Sequence, residues 1–236
     1  MRYGATSEVG KVRKENQDSY LAINKQDLDI IVIADGMGGH QGGNVASSLA
    51  VEEIKEYNFN HDSLNDSIKE CIESVNQRIY QEGLAKEEYY GMGTTLTMGI
   101  IKDRILIIGH IGDSRAYLFR NGNLKQLTAD HSYVGELLRN NLISQEEADN
   151  HPKKNLLLKA LGVKEEIEAD LVELELEADD LILLCSDGLT NMLSNDELAK
   201  ILAEDLDLQK KTDKMALMAN EQGGYDNITV LIYCNN

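Results

Sequence analysis

Apolar residues along the chain gather into short, nearly continuous runs separated by turn residues. Leu28 to Ala34, Thr94 to Ile101, Arg104 to Ile111, Arg115 to Arg120 and Leu181 to Cys185 each read as a strand, and a sheet-rich fold follows. Asn121-Gly122, between two such runs, predicts a two-residue type I′ hairpin, and Lys102-Asp103 marks a second tight turn. Residues 94 to 128 therefore read as an antiparallel meander. The β-branched run from Asn227 to Tyr233 predicts a strand near the middle of a sheet.

Between the strands the period changes to 3.6. Leu64, Ile68, Cys71, Ile72, Val75 and Ile79 predict a long amphipathic helix over residues 62 to 84. Val45, Ala46, Leu49, Ala50 and Ile54 form one face of another, and a third runs from Asp207 to Gln222, stopped by Gly223-Gly224. Helices and strands do not alternate regularly, so the pattern favours an α+β fold with sheets packed face to face and helices outside over a parallel doubly wound one. Residues 130 to 161 are polar, helical only in short pieces and broken by Asn140-Asn141, Asn150 and Pro152. They read as a mobile excursion from the one domain expected to span residues 1 to 236.

The net charge of −18 argues against nucleic acid and anionic lipid as partners. No apolar run reaches the roughly 18 residues of a membrane span, and the first residues lack a secretory h-region. Cys71, Cys185 and Cys234 stand singly, without disulfide or zinc spacing, which fits a reducing cytoplasm. The sequence gives no sign of oligomerisation, and a monomer is the default expectation.

Three apolar runs lead into an aspartate beside small residues: Ala34-Asp35-Gly36, Gly112-Asp113-Ser114 and Ser186-Asp187-Gly188; a fourth, Asp226, precedes the last strand. Each alone is an ordinary turn dipeptide. Gathered on one rim, they would concentrate negative charge that only cations offset, and carboxylates without histidine or cysteine select hard ions such as Mg²⁺ or Mn²⁺. The glycines from Gly36 to Gly43 match neither the dinucleotide nor the P-loop spacing and lack the P-loop lysine, so a nucleotide cofactor is not expected.

Taken with Arg13-x-x-Asn16-Gln17-Asp18, Asp35-Gly36-Met37-Gly38-Gly39-His40, Gly91-x-Gly93-Thr94-Thr95, Gly112-Asp113-Ser114-Arg115, Ser186-Asp187-Gly188-Leu189-Thr190 and Gly223-Gly224-x-Asp226-Asn227-x-Thr229, the chain resembles the metal-dependent protein phosphatase 2C family in its stand-alone bacterial form. The resemblance implies two antiparallel β-sheets packed as a sandwich flanked by helices, with a metal centre at one end. It implies that Asp35 bridges two cations, that the Gly36 carbonyl binds the first, and that Asp187 and Asp226 hold the second. Asp18 matches a supporting acidic position, Asp113 with Asp187 a weaker third site, and Arg13 the phosphate-binding arginine. The implied activity is hydrolysis of phosphoserine and phosphothreonine in proteins by direct attack of hydroxide held between the cations, opposing a serine/threonine kinase of the same cell.

His40 is a candidate acid for the leaving alkoxide, although the histidine given that role in eukaryotic relatives follows Asp-Gly directly, where this chain has Met37. The excursion over 130 to 161 corresponds to the family's flap, with Leu158 and Lys159 where threonine and arginine are usual. Two rival readings are a phosphatase of small phosphomonoesters and a catalytically dead phosphoprotein-binding module. The second predicts missing ligand positions, and none of the matched aspartates is missing.

Overall fold

The structure, a computed structural model, describes residues 1–38 and 42–235. It opens with β1 (Arg2–Glu8), β2 (Asp18–Lys25) and β3 (Leu28–Met37), then helices α1 (Gly42–Glu56) and α2 (Leu64–Ala85). Strands β4 (Gly93–Thr94), β5 (Leu96–Lys102), β6 (Ile105–Ile111), β7 (Arg115–Arg120) and β8 (Asn123–Gln126) follow. Short helices α3 (Tyr133–Arg139) and α4 (Gln145–Asp149) lead to β9 (Asp170–Glu175) and β10 (Leu181–Cys185). The chain closes with α5 (Asp187–Thr190), α6 (Asn195–Ala203), α7 (Leu208–Glu221) and β11 (Ile228–Cys234).

One sheet has the order β1-β11-β10-β7-β8; the other has β2-β3-β5-β6-β9, with β4 added against β3. Every strand pairing is antiparallel. The apolar runs lack polar alternation because both faces of the central strands are covered. Ile31 and Ile33 of β3 meet Ala116, Leu184 and Leu231 of the opposite sheet, while Ile30 and Val32 point the other way, onto Ala46, Ala50 and Ile72 of α1 and α2. On the far side, Leu183 and Ile232 pack against Leu198, Ile201 and Met215 of α6 and α7. The result is a four-layer sandwich, helix–sheet–sheet–helix, with its innermost core between the sheets. The expected α+β architecture is the one observed.

Two expectations need correction. Residues 94 to 128 form not one meander but two hairpins in different sheets, β5–β6 and β7–β8, because the chain crosses between sheets at Gly112. Gly112 holds φ at +107°, and a Cβ there would stand 2.6 Å from the side chain of Thr95, so only glycine fits the corner. The β5–β6 turn is Asp103-Arg104, one residue later than expected, with both residues at positive φ and Lys102 paired to Ile105. Asn121-Gly122 has the predicted geometry. β11 lies inside its sheet between β1 and β10, as expected.

Candidate metal centre

At one end of the sandwich five segments meet: the loop between β1 and β2, the end of β3, the Gly112 corner, the β10–α5 junction and the turn entering β11. β2 and β3 pair in a register that sets Asp18 opposite Asp35. Asp35 lies within β3 rather than beyond it, and its backbone is fixed from both sides. Its N–H donates to Thr95 Oγ1 at 2.9 Å, and its carbonyl accepts from the Thr95 N–H and the Thr94 hydroxyl, each at 2.9 Å. Thr95 Oγ1 is in turn 2.8 Å from Ser114 Oγ, beside Asp113. This ties the Asp35 backbone in β3 and the corner that carries Asp113 to one pair of threonines. A Cβ on Gly36 would lie 2.1 Å from the Gly43 carbonyl oxygen, so no side chain is tolerated there.

Asp187 opens α5, and its Oδ2 accepts from Asn191 Nδ2 at 3.0 Å one helical turn on. Asp226 Oδ1 accepts from the Asn227 N–H at 2.9 Å, and its Oδ2 accepts from Arg13 Nη2 at 2.7 Å. Ser186 Oγ donates to Asp18 Oδ2 at 2.8 Å, whereas Asp18 Oδ1 is buried and, among the described residues, has no hydrogen-bond partner within normal geometry.

The electrostatics follow from this crowding. Burial, then the charges of Asp18, Asp187, Asp113 and Asp226, hold the Asp35 carboxyl well above the usual carboxylate range. Burial pushes Asp18 up to about 6 against the stabilising Thr229 and Ser186 hydroxyls, and Asp187 up to about 6 with help from Asp226. Asp113 is pushed up to about 8 by burial, then by Asp187 and Asp130. Arg13 feels Asp226, Asp187 and Asp35 together, but Arg115 is committed to Asp130 by three forked contacts of 2.6 to 3.1 Å. The cluster thus holds more buried negative charge than its cations neutralise. Such carboxylates either take protons or take metal.

Among the described residues the acidic side chains do not form a closed set of three or more ligands round one point; Asp35 and Asp187 instead stand within hydrogen-bonding reach of each other. An all-oxygen donor set with an orphaned buried carboxylate oxygen on Asp18 fits hard divalent cations. Two cavities flank the cluster. One of about 640 Å³ runs beside Arg13, Lys14, Gln17 and Tyr89; another of about 300 Å³ lies under α3, reaching Asp113, Asp187, Asn191 and Lys154.

The structure therefore brings Arg13, Asp18, Asp35, Asp113, Asp187 and Asp226 together, with Gly36 next to Asp35. His40 lies outside the described residues. His131 does not face the cluster: its Nδ1 accepts from the Gly112 N–H at 3.1 Å and its Nε2 is 3.1 Å from Asp170 Oδ2, anchoring the start of the excursion. Sequence reasoning gave no task to Thr95, Ser186 or Asn191, whose hydroxyls and amide position the aspartates; the Gly-Thr-Thr and Ser-Asp-Gly spacings carried that signal.

A family model described as protein phosphatase 2C matches residues 11–230. The chain is 42% identical to the protein phosphatase PhpP of Streptococcus pneumoniae, over all of this chain and 98% of that one. The solved serine/threonine phosphatase of S. agalactiae superposes with a TM-score of 0.92 at 36% identity, covering 99% of both chains. The catalytic domain of the serine/threonine phosphatase PstP, solved with two manganese ions, gives 0.88 at 34% identity, over 98% of this chain and 96% of that one. An oxygen-only cluster of this kind on this sandwich, matched over its full length, leaves one conclusion: the chain belongs to the protein phosphatase 2C family of metal-dependent serine/threonine protein phosphatases.

Proposed function

We propose that the aspartate cluster holds two Mn²⁺ or Mg²⁺ ions and a weaker third, and that phosphoserine and phosphothreonine esters are hydrolysed by direct attack of hydroxide at phosphorus. Asp35 would bridge the pair, the Gly36 carbonyl would bind the first ion, Asp187 and Asp226 the second, and Asp113 with Asp187 the third, with Asp18 in support. When bound, the ions supply the acidity that makes hydroxide available at neutral pH. The observation that carries this reading is the buried, under-neutralised carboxylate cluster with its orphaned Asp18 oxygen.

Arg13 is free to grip two phosphate oxygens with its planar fork while keeping its bond to Asp226. Its half-exposed side chain borders the larger cavity, where a substrate phosphate can enter. No covalent phosphoenzyme is required. Burial pushes the Cys185 thiol up to about 12, and the Ser186 hydroxyl is spent on Asp18, so neither is an activated nucleophile. His40 is the candidate donor of the alkoxide proton.

The buried cysteines, free among the described residues, support action in a reducing cytoplasm. There the protein would act as a monomer opposing a serine/threonine kinase of the same cell. The excursion over residues 130 to 161 would act as the flap over the smaller cavity.

Hydrolysis of p-nitrophenyl phosphate after chelation, then with Mn²⁺ or Mg²⁺ restored, tests the assignment beside Asp187→Asn. Activity lost on chelation, regained with cation and absent in the folded variant is the expected result. Full cation-dependent activity in Asp187→Asn overturns the ligand assignment.

A further inference from the structure

The geometry points to Asn227 as the positioning residue of Arg13: its side-chain amide clamps both ends of the loop that carries the arginine, and so sets where the substrate phosphate is held. The inference rests on the phosphate-binding reading of Arg13.

Arg13 sits on an exposed loop between β1 of one sheet and β2 of the other, and such a loop does not by itself hold a long side chain to catalytic tolerance. Asn227 supplies what the loop lacks. Its Nδ2 donates to the Val9 carbonyl and to the Glu15 carbonyl, each at 2.9 Å, and its Oδ1 accepts from the Gln17 N–H at 2.9 Å. One buried amide thus spends both protons and its oxygen on backbone groups either side of Arg13. No other residue type of this size offers two donors and one acceptor in that fork.

The loop is closed from the same side by two further contacts. The Lys11 N–H donates to the Gly224 carbonyl at 2.7 Å. Gly10 holds φ at +82°, and a Cβ there would lie 2.2 Å from the Asp226 carbonyl oxygen, so the loop entry is seated on the backbone of the residue that Arg13 binds. The Asn227 carbonyl oxygen would lie 2.0 Å from a Cβ on Gly188, which follows Asp187. Asn227 therefore touches the backbone beside Asp187, Asp226 and Arg13, fixing the arginine in the same frame as the aspartates. Its partners in the loop lie more than 200 positions away in the chain.

A double-mutant cycle tests the clamp. Asn227→Ala is expected to raise both the KM for a phosphothreonine peptide and the inhibition constant of inorganic phosphate by about tenfold, as Arg13→Ala does, with kcat changed far less. The double variant is expected to be no worse than Arg13→Ala alone. The Mn²⁺ dissociation constant, read by calorimetry, is expected to stay within about twofold of wild type, the span left to a residue that acts only through Arg13. Multiplicative losses in the double variant, or weakened Mn²⁺ binding with unchanged KM, overturn the inference while leaving Arg13 its role. An Arg13→Ala variant with unaltered phosphate inhibition overturns both. Should Asn227→Ala fail to fold, hydrogen exchange on the wild-type protein decides: the Gln17 amide protected like a strand amide upholds the clamp, and rapid exchange at that amide refutes it.

Discussion

Single residues in this protein are held in states that water would not allow, and their titration is where that shows. With cations removed, Asp113 binds its proton far more tightly in the folded chain, at about 8, than the ordinary value of about 4 in the unfolded one. The stabilisation is complete below pH 4 and lost as pH rises towards 8, so the chelated protein is weakened at neutral pH. Chelated Asp113→Asn is therefore expected to melt higher than chelated wild type at pH 7.5, with the gap closing towards pH 4; scanning calorimetry at both pH values checks this. His110 has the opposite sign. Burial, then His131, holds its imidazole down to about 4, with Nδ1 3.0 Å from Thr97 Oγ1. The unfolded chain takes that proton from about pH 6.5, so on the order of 3 kcal/mol is lost as pH falls from 6.5 to 4. Urea titrations across that range are expected to show this slope in wild type and a shallower one in His110→Gln. Asp35, Asp113 and Asp187 were legible as a set: each alone reads as a turn residue, but three apolar runs leading into an aspartate beside small residues, together with the motif spacings, set them apart. The tasks of Asn227 and Thr95 were not, since uncharged amides and hydroxyls are equally at home in turns and strands, and their partners are remote in sequence.

At the level of elements, the amphipathic helices and the apolar strands were readable, because period and length decide them. Helix α7 runs from an Asp207 cap, whose carboxylate accepts from the Lys210 N–H at 2.9 Å, to the residue before its Gln222 cap, within one position of the predicted span. Asp207→Ala is expected to lower the urea midpoint through loss of the cap without altering kinetics. Strands β2 and β9 escaped notice because they lie at sheet margins, where Asp18-Ser19-Tyr20 and Asp170 to Glu175 alternate charge with apolar residues and only one face needs burying. The crossing at Gly112 was invisible for a different reason: a hairpin meander and a sheet-to-sheet corner use the same local pattern. Gly112→Ala is expected to cost 1 kcal/mol or more through its positive φ, roughly the strain of such a conformation, and to lower kcat as Thr95 shifts away from the Asp35 backbone. A wild-type kcat in a destabilised Gly112→Ala protein would sever the corner from the metal centre.

Across the whole molecule, a net charge of −18 surrounds a site that must attract an anion. Arg13 and any bound cations reverse the field only locally, so the distal part of a substrate still meets a negative surface. For a phosphopeptide rich in aspartate, kcat/KM is expected to rise between about 10 and 150 mM salt as the repulsion is screened, and for a lysine-rich one to fall. Equal salt dependence for both would mean that the surface field plays no part in substrate choice. The layered architecture also carries a temporal consequence. β11 lies between β1 and β10, and Asp226 and Asn227 immediately precede it. During synthesis, everything up to α7 emerges with the centre of one sheet missing, a proposed metal ligand absent and the Arg13 loop without its clamp. A ribosome-bound chain short of residue 226 is therefore an unclosed sandwich without activity, and dephosphorylation begins only when the last strand slides into the gap left for it.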